Sequence, residues 1–214
     1  MVISIDDFLR LRKQLPVVDV RSEGEFAAGH IRGAANVPLL NNDERVAVGT
    51  DYKMKGQAEA IKTGFRLVGP RFLEIINHVE GVADGNEVLV HCWRGGMRSA
   101  NFCQIVGMAK IHTHQLQGGY KAYREEALKS YRTPLNLRII GGCTGSGKSE
   151  ILRALRQRGE QVLDLEALAS HKGSVFGGLM MAPQPTTEQF QNDLFEEILP
   201  LDASRPVWVE DESI

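Results

Sequence analysis

Cysteine is scarce in this chain of 214 residues: three occur, at positions 92, 103 and 143, and no pair is spaced as Cys-x-x-Cys. A disulfide framework is thereby excluded, and such usage points to a reducing, cytoplasmic compartment. Long apolar runs are absent too; none approaches the ~18 residues that a membrane-spanning helix requires. The opening residues, Met1-Val-Ile-Ser-Ile-Asp-Asp7, lack the basic and then apolar regions of a secretory leader. Neither sign of charge dominates. The 25 Lys and Arg face 27 Asp and Glu, which argues against indiscriminate nucleic-acid binding and leaves room for a local basic patch. Internal repeats and low-complexity tracts are missing. What is present, 43% hydrophobic and 24% charged residues, suits a globular chain of one large or two small domains.

Short β-branched runs alternate with helical patterns. Pro16-Val-Val-Asp-Val20 and Glu87-Val-Leu-Val-His91 predict buried parallel strands, with a shorter one near 111–116. Helical periodicity covers 6–14, 70–79, 98–109 and 119–131. The stretch 39–69 is polar and irregular, and predicts a long functional loop. Arg132-Thr-Pro-Leu-Asn136 marks a boundary, so two α/β domains are expected, at 1–132 and 133–214. Residues 1–130 carry 17 basic and 15 acidic side chains and the remainder 8 and 12, so a nucleic acid is easier to place on the first or across the junction. The second domain shows strand patterns only near 137–141, 161–164 and 206–210, whereas a doubly wound sheet has about five strands. Its sheet is therefore expected to be incomplete, with an exposed edge that favours self-association. The stretch beyond about 165 is expected to be mobile or paired with another chain, with Lys172–Gly178 in the mobile part.

Most of the chemistry lies in Val88-Leu-Val-His-Cys-Trp-Arg-Gly-Gly-Met-Arg-Ser99. A buried strand ends at His91, Cys92 follows, and a helix begins near Arg98. A thiol at such a point faces loop N–H groups and the positive end of a helix, which favour the nucleophilic thiolate. Arg94 and Arg98 add positive potential, and Gly95 and Gly96 let the backbone curl inward. Such a nest can hold a cysteine persulfide, a perselenide or an oxyanion. Cys103 falls on the apolar face of the next helix and reads as packing.

A second motif, Ile139-Ile-Gly-Gly-Cys-Thr-Gly-Ser-Gly-Lys-Ser149, contains Gly142-x4-Gly147-Lys148-Ser149 between a strand and a helix. That is the phosphate-loop pattern. Backbone amides at Gly142, Gly145 and Gly147 cradle phosphate, Lys148 neutralises it, and Ser149 ligates Mg²⁺. The pattern fits ATP, GTP, another pyrophosphate or a nucleic-acid phosphate. Pro206-Val-Trp-Val-Glu-Asp211 supplies the acidic residue after a second strand, with Asp211 and Glu210 as candidate metal partners and Asp164 as a weaker one. Two basic clusters, Lys53–Arg71 and Lys121–Arg138, lie near Tyr52, Phe65, Tyr120, Tyr123 and Tyr131. They could bind RNA phosphates and stack bases, or be solvated charged faces.

Asp19-Val-Arg-Ser-Glu-Gly-Glu-Phe-Ala-Ala-Gly-His-Ile-Arg-Gly-Ala-Ala-Asn-Val-Pro38, the Cys92 loop and Gln117-Gly-Gly-Tyr-Lys121 resemble the rhodanese domain, an α/β fold that moves sulfur as a cysteine persulfide. One departure is the loop length: Cys92 to Arg98 is Cys-x5-Arg, where the common sulfurtransferase loop is Cys-x4-Arg. His-Cys-x5-Arg also resembles rhodanese-related phosphatases and arsenate reductases. The succession of both domains resembles the selenouridine synthase family across the chain. Leu39–Thr50, Cys92–Ser99, Gly141–Lys148, the stretch 164–178 and Val209–Ser213 carry that resemblance. Family members run past Ile214, so the chain is expected to be truncated.

The resemblance implies a transferase acting on tRNA. Wobble 2-thiouridine is first S-geranylated from geranyl diphosphate, and selenium from selenophosphate then replaces the S-geranyl group. It implies a role for Gly64 in the selenium step beside Cys92, Arg94 and Arg98. No resident cofactor is implied; selenophosphate and geranyl diphosphate enter as co-substrates, and Mg²⁺ fits the phosphate loop at Ser149 and Asp211. A selenophosphate-supplying enzyme is an expected partner and a membrane is not. The alternatives are a rhodanese-fold phosphatase or arsenate reductase, and a non-catalytic RNA- or nucleotide-binding module.

Overall fold

Caps fix the first element boundaries. Ser4 accepts from the Asp7 amide ahead of α1 (Ile5–Leu11), after the two-residue strand β1 (Val2–Ile3). The strand β2 (Val17–Asp19) runs into α2 (Glu23–Ala28), where the Glu25 carboxylate accepts from the Ser22 amide. After β3 (Ala35–Asn36), Asn41 and Glu44 form a reciprocal capping box that starts α3 (Asn42–Lys55), and α4 (Gln57–Val68) follows. A 3₁₀ turn at Gly69–Arg71 leads to α5 (Phe72–Val82), β4 (Glu87–His91), α6 (Met97–Met108), β5 (His112–Leu116) and α7 (Gly119–Ser130). The second part contains β6 (Asn136–Ile140), α8 (Lys148–Gln157), β7 (Gln161–Leu163), α9 (Leu165–Ala169), α10 (Thr187–Ile198) and β8 (Pro206–Glu210). This computed structural model describes residues 1–83, 85–143, 145–171 and 182–211. The expected mobility of Lys172–Gly178 concerns residues outside that set.

The fold is α/β, and its strands pair in parallel. The first sheet has the order β1-β5-β4-β2-β3, so β4 is central, with Val90 beside Val18 and Gln115. Its core joins Val18, Val88 and Val90 of the sheet to Val79 and Phe102 of the covering helices. The second sheet is β6-β8-β7. There β8 is central and Val207 is fully buried, whereas β6 is an edge with Leu137 and Ile139 exposed. The chain divides into compact units 1–125 and 126–214. This division falls inside α7, ahead of the Pro134 break from which the boundary was read. The last turn belongs with the second unit, where the Tyr131 hydroxyl donates to the Gln191 carbonyl of α10.

The stretch 39–69 is not a loop but the antiparallel pair α3–α4. Its pattern is weak because α3 buries no residue, and glycines at 49, 56 and 64 interrupt the helical periodicity. The Asn41–Glu44 box was the legible signal. Sequence reading also missed α2 and the two-residue edge strands, which are too short to show a period.

Candidate functional site

Cys92 leaves the C-terminal end of central strand β4, the end where open parallel sheets bind ligands. Its carbonyl accepts from the Tyr120 amide at 2.8 Å, and the carbonyl of Trp93 accepts from Lys121 at 2.9 Å. The first turn of α7 is thereby stitched to the loop. Only glycine permits that approach. A Cβ at Gly119 would lie 2.3 Å from the Cys92 carbonyl oxygen, and one at Gly95 would lie 2.6 Å from that of Leu116; both have positive φ. The Gln117-Gly-Gly stretch therefore shapes the cysteine loop from outside it.

The Cys92 side chain is buried and its Sγ lies 3.1 Å from the Ser99 hydroxyl. That hydroxyl accepts from Gln115 Nε2 at 3.0 Å and can donate to the Gly96 carbonyl at 3.1 Å. Gln115 also donates to the Gly95 carbonyl at 2.8 Å. Ser99 has one proton to give. With Cys92 as thiol, the thiol donates to Ser99 and Ser99 donates to Gly96. With Cys92 as thiolate, Ser99 turns its proton to the sulfur. Neither Ser99 nor Gln115 stood out in the sequence, where each is an ordinary polar residue on a helix and a strand.

The two arginines differ. Arg94 is exposed. Arg98 is committed to Glu25 of α2, with its two terminal nitrogens 2.6 and 3.1 Å from the carboxylate oxygens. Burial alone would raise the Glu25 carboxyl; the bonds and charge of Arg98 outweigh it and hold Glu25 below the usual carboxylate range. The loop's positive potential from Arg98 is therefore largely neutralised. Burial pushes the Cys103 thiol up, and a bond with Thr113 offsets this only in part. Cys103 packs against the core, as its place on α6 predicts.

Beneath the loop, Arg21 and Asp19 form a fully buried pair at 2.6 Å. Arg21 also donates to the Gly29 carbonyl and lies 3.8 Å from the centre of the Tyr120 ring. Burial holds His91 below its usual range despite Asp19 nearby, so it is neutral and Arg21 supplies the countercharge. Tyr120 and Tyr123 are completely buried, so neither can stack an RNA base. Tyr52 and Phe65 are exposed. The basic clusters are in large part paired locally: Lys55 with Asp51, Lys62 with Glu59, Arg71 with Glu44, Lys121 with Glu125, and Lys129 with Glu126. Such pairing is that of solvated faces.

In the second unit, Gly145 and Gly147 take positive φ, and Gly147 caps α8. Lys148 Nζ donates to the Gly142 carbonyl at 2.8 Å, drawn across the loop. Ser149 Oγ lies 3.4 Å from Glu210 Oε2 and 3.3 Å from Glu166 Oε2. Asp211 continues β8, its amide bonded to the Ile140 carbonyl. The carboxylate that meets Ser149 from β8 is that of its last residue, Glu210. Glu166, in the first turn of α9, was missed; it is far from the motif in sequence. One hydroxyl and two carboxylates form the oxygen donor set that Mg²⁺ accepts. Among the described residues, no group of three or more His, Cys, Asp or Glu is gathered as a metal site. Among them too, no helix is long and apolar enough to cross a membrane.

Family profiles match both parts of the chain: a rhodanese-like domain over residues 4–126 and a tRNA 2-selenouridine synthase AAA domain over 135–214. The chain is 37% identical to the tRNA 2-selenouridine synthase of Nitrosomonas europaea over 99% of its own length and 57% of that protein's. Against the enzyme of Cronobacter sakazakii identity is 41%, over 97% of this chain and 56% of the relative. The chain thus spans little more than half the length of these curated relatives. Among solved structures, an N-terminal domain of a Clostridium difficile 630 protein, described as an ATP/GTP-binding candidate, matches with a TM-score of 0.53 and 39% identity. The match covers 60% of this chain and 99% of that domain. With the cysteine loop inside residues 4–126, the chain belongs to the rhodanese-like family, and the phosphate loop that follows lies in a segment that matches the AAA domain of tRNA 2-selenouridine synthases.

Proposed function

We propose that the chain takes part in exchanging the sulfur of wobble 2-thiouridine in tRNA for selenium. Its AAA segment serves the alkylation step and its rhodanese-like unit the selenium step. The observation that carries this reading is the Cys92 loop, with Sγ 3.1 Å from a hydroxyl that can donate to it, in a chain whose second segment bears a phosphate loop. In the first step the thiouridine sulfur attacks C1 of geranyl diphosphate. The C–O bond breaks and diphosphate leaves with its electron pair. Lys148 and the amides of the Gly142–Gly147 loop suit that diphosphate, and Ser149 and Glu210 would hold a Mg²⁺ that adds countercharge. Geranylation turns a thiocarbonyl into a leaving group. In the second step the selenium of selenophosphate adds to C2, geranylthiolate departs with the C–S electron pair, and water cleaves the Se–P bond to release phosphate. Cys92 belongs to this second step, and a selenophosphate-supplying enzyme in the same cytoplasmic compartment is the natural partner.

A rhodanese-fold phosphatase is disfavoured because Arg98, which would have to clamp the phosphate, is held bidentately by Glu25. The deciding experiment incubates the chain with 2-thiouridine tRNA, geranyl diphosphate and selenophosphate, followed by mass spectrometry of the nucleosides. Cys92→Ser is expected to accumulate S-geranyl-2-thiouridine without 2-selenouridine. A normal 2-selenouridine yield from folded Cys92→Ser would remove Cys92 from the reaction. Phosphate release from p-nitrophenyl phosphate, in place of nucleoside conversion, would reinstate the phosphatase.

A further inference from the structure

The α3–α4 pair and the start of α6 enclose a cavity of about 160 Å³ that the reaction scheme above does not use. Its interior is hydrocarbon, with Leu40, Val48, Ile61, Val68 and Ile105 among its walls. Tyr52, Phe65 and Met97 also line it and stand 57%, 61% and 45% exposed, so it opens at the surface with apolar side chains around the mouth. Apolar groups gathered around an open concavity mark a binding site for an apolar ligand. The size is that of an engineered dry cavity of roughly 150 Å³ that takes up benzene.

Gly64 gives a second, independent indication. It lies inside α4, where glycine weakens a helix, and its φ is not positive. A Cβ built there would meet no protein atom within 4 Å. Neither backbone conformation nor packing against the protein calls for glycine at this position. What the missing side chain leaves is room in the cavity that Gly64 lines.

The polar side of the cavity is the side of the cysteine loop. Met97 and Arg98 belong to both, and Ser99, next in sequence, is the residue that meets Cys92 Sγ. Gln57 of α4 donates to Met97 Sδ at 3.3 Å, which ties the mouth to the loop. Asn101 adds an amide on the same helix face as Met97 and Arg98. A ligand with a hydrocarbon tail and a polar head therefore has one orientation here, tail between α3 and α4 and head toward the Cys92 loop.

We infer that this cavity seats the hydrocarbon chain of the S-alkylated thionucleoside during the selenium step, so that the alkyl group that leaves is held in the rhodanese-like unit. The inference rests on the geranyl reading proposed above and deepens it: the same unit that holds the reactive cysteine also measures the alkyl chain. The inner walls take the distal carbons, and the aromatic rings at the mouth cover the carbons nearest sulfur.

The test titrates the chain with S-geranyl-2-thiouridine and, as reference, S-methyl-2-thiouridine. Affinity is read by calorimetry, and position by the methyl signals of ¹³C-labelled methionine. The geranyl compound is expected to bind about tenfold more tightly or better than the methyl one. The Met97 methyl signal should shift while Met108, at the far end of α6, does not. Gly64→Leu is expected to bring the two affinities within about threefold of each other. Ala60→Leu, at a second lining position, should do the same if Gly64→Leu perturbs the helix. An unchanged geranyl preference in both folded variants, or no movement of Met97, overturns the inference. So does a Met97 shift that depends on protein concentration alone, which would mark a second copy in the groove. Its failure is separable from failure of the parent reading. With geranylated tRNA and selenophosphate, normal selenation by Gly64→Leu sinks the cavity and spares the function. Geranyl binding that yields no selenouridine does the reverse.

Discussion

At the scale of single residues, the proton on Ser99 is the sharpest object in the site. It is shared between the Gly96 carbonyl and the Cys92 sulfur, and Gln115 holds the oxygen in place. Ser99→Ala removes the hydrogen bond that the reactive thiolate form of Cys92 would accept, on a scale of roughly 1.5–3 kcal/mol for a charged acceptor, so alkylation of Cys92 by iodoacetamide should slow about tenfold or more. The measurement needs a Cys143→Ser background, because Cys143 is exposed. An unchanged rate would mean that Ser99 only packs. Glu25 offers a pH test. Its folded carboxyl titrates below its usual range, so the unfolded state takes up the proton first. The stabilisation it gives is complete above the ordinary glutamate range and is lost as pH falls through the folded value. Melting temperature should therefore drop more steeply in wild type than in Glu25→Gln between about pH 6 and pH 3. Parallel curves would show that the Arg98 pair contributes no pH-dependent stability.

Two elements act through what they leave out. In α4 it is a side chain at Gly64; in the phosphate loop it is Cβ atoms at Gly145 and Gly147, both at positive φ. The loop can then turn its amides inward, and Lys148 supplies the full charge. Lys148→Ala should weaken geranyl diphosphate by about tenfold to a hundredfold, the scale of a charge-assisted bond. Titration of geranyl diphosphate and ATP against both proteins checks this. Equal affinities for every phosphate ligand would reduce the loop to a structural turn. Here sequence and fold agree closely, because strand, glycines, lysine and helix are consecutive. The α3–α4 pair is the opposite case. Only α4 carries an apolar stripe, Ala60, Ile61, Phe65 and Val68, and Gly64 interrupts it, while α3 buries no residue, so the cavity they form was invisible until they were placed opposite α6.

For the molecule as a whole, two parallel sheets are stabilised in different ways. The first sheet hides a complete ion pair, Asp19–Arg21, under its cysteine loop, with Arg21 against Tyr120. Removing one member of such a pair leaves an unbalanced buried charge and costs about 3–5 kcal/mol. Arg21→Met should therefore lower the denaturant midpoint of the first unit markedly. A change under about 1 kcal/mol would show that Asp19 protonates or rehydrates at little cost. The second sheet presents Leu137 and Ile139 on its edge strand β6, a surface prone to strand pairing.

The sequence by itself determined the features that are local. Strands at 87–91 and 206–210, the phosphate loop, the placement of Cys92 at a strand end and the packing role of Cys103 follow from consecutive residues with a clear period or turn chemistry. Only the tertiary structure decided what depends on residues distant in the chain. Arg98 meets Glu25, Cys92 meets Ser99 held by Gln115, and Ser149 meets Glu166 and Glu210. Tyr120 and Tyr123 turn inward on Arg21 and Arg12 rather than outward to a base. The physical reason is the same each time. A hydrogen bond or ion pair has a range of a few ångströms in space, and the sequence carries no record of which residues a parallel sheet will bring within it.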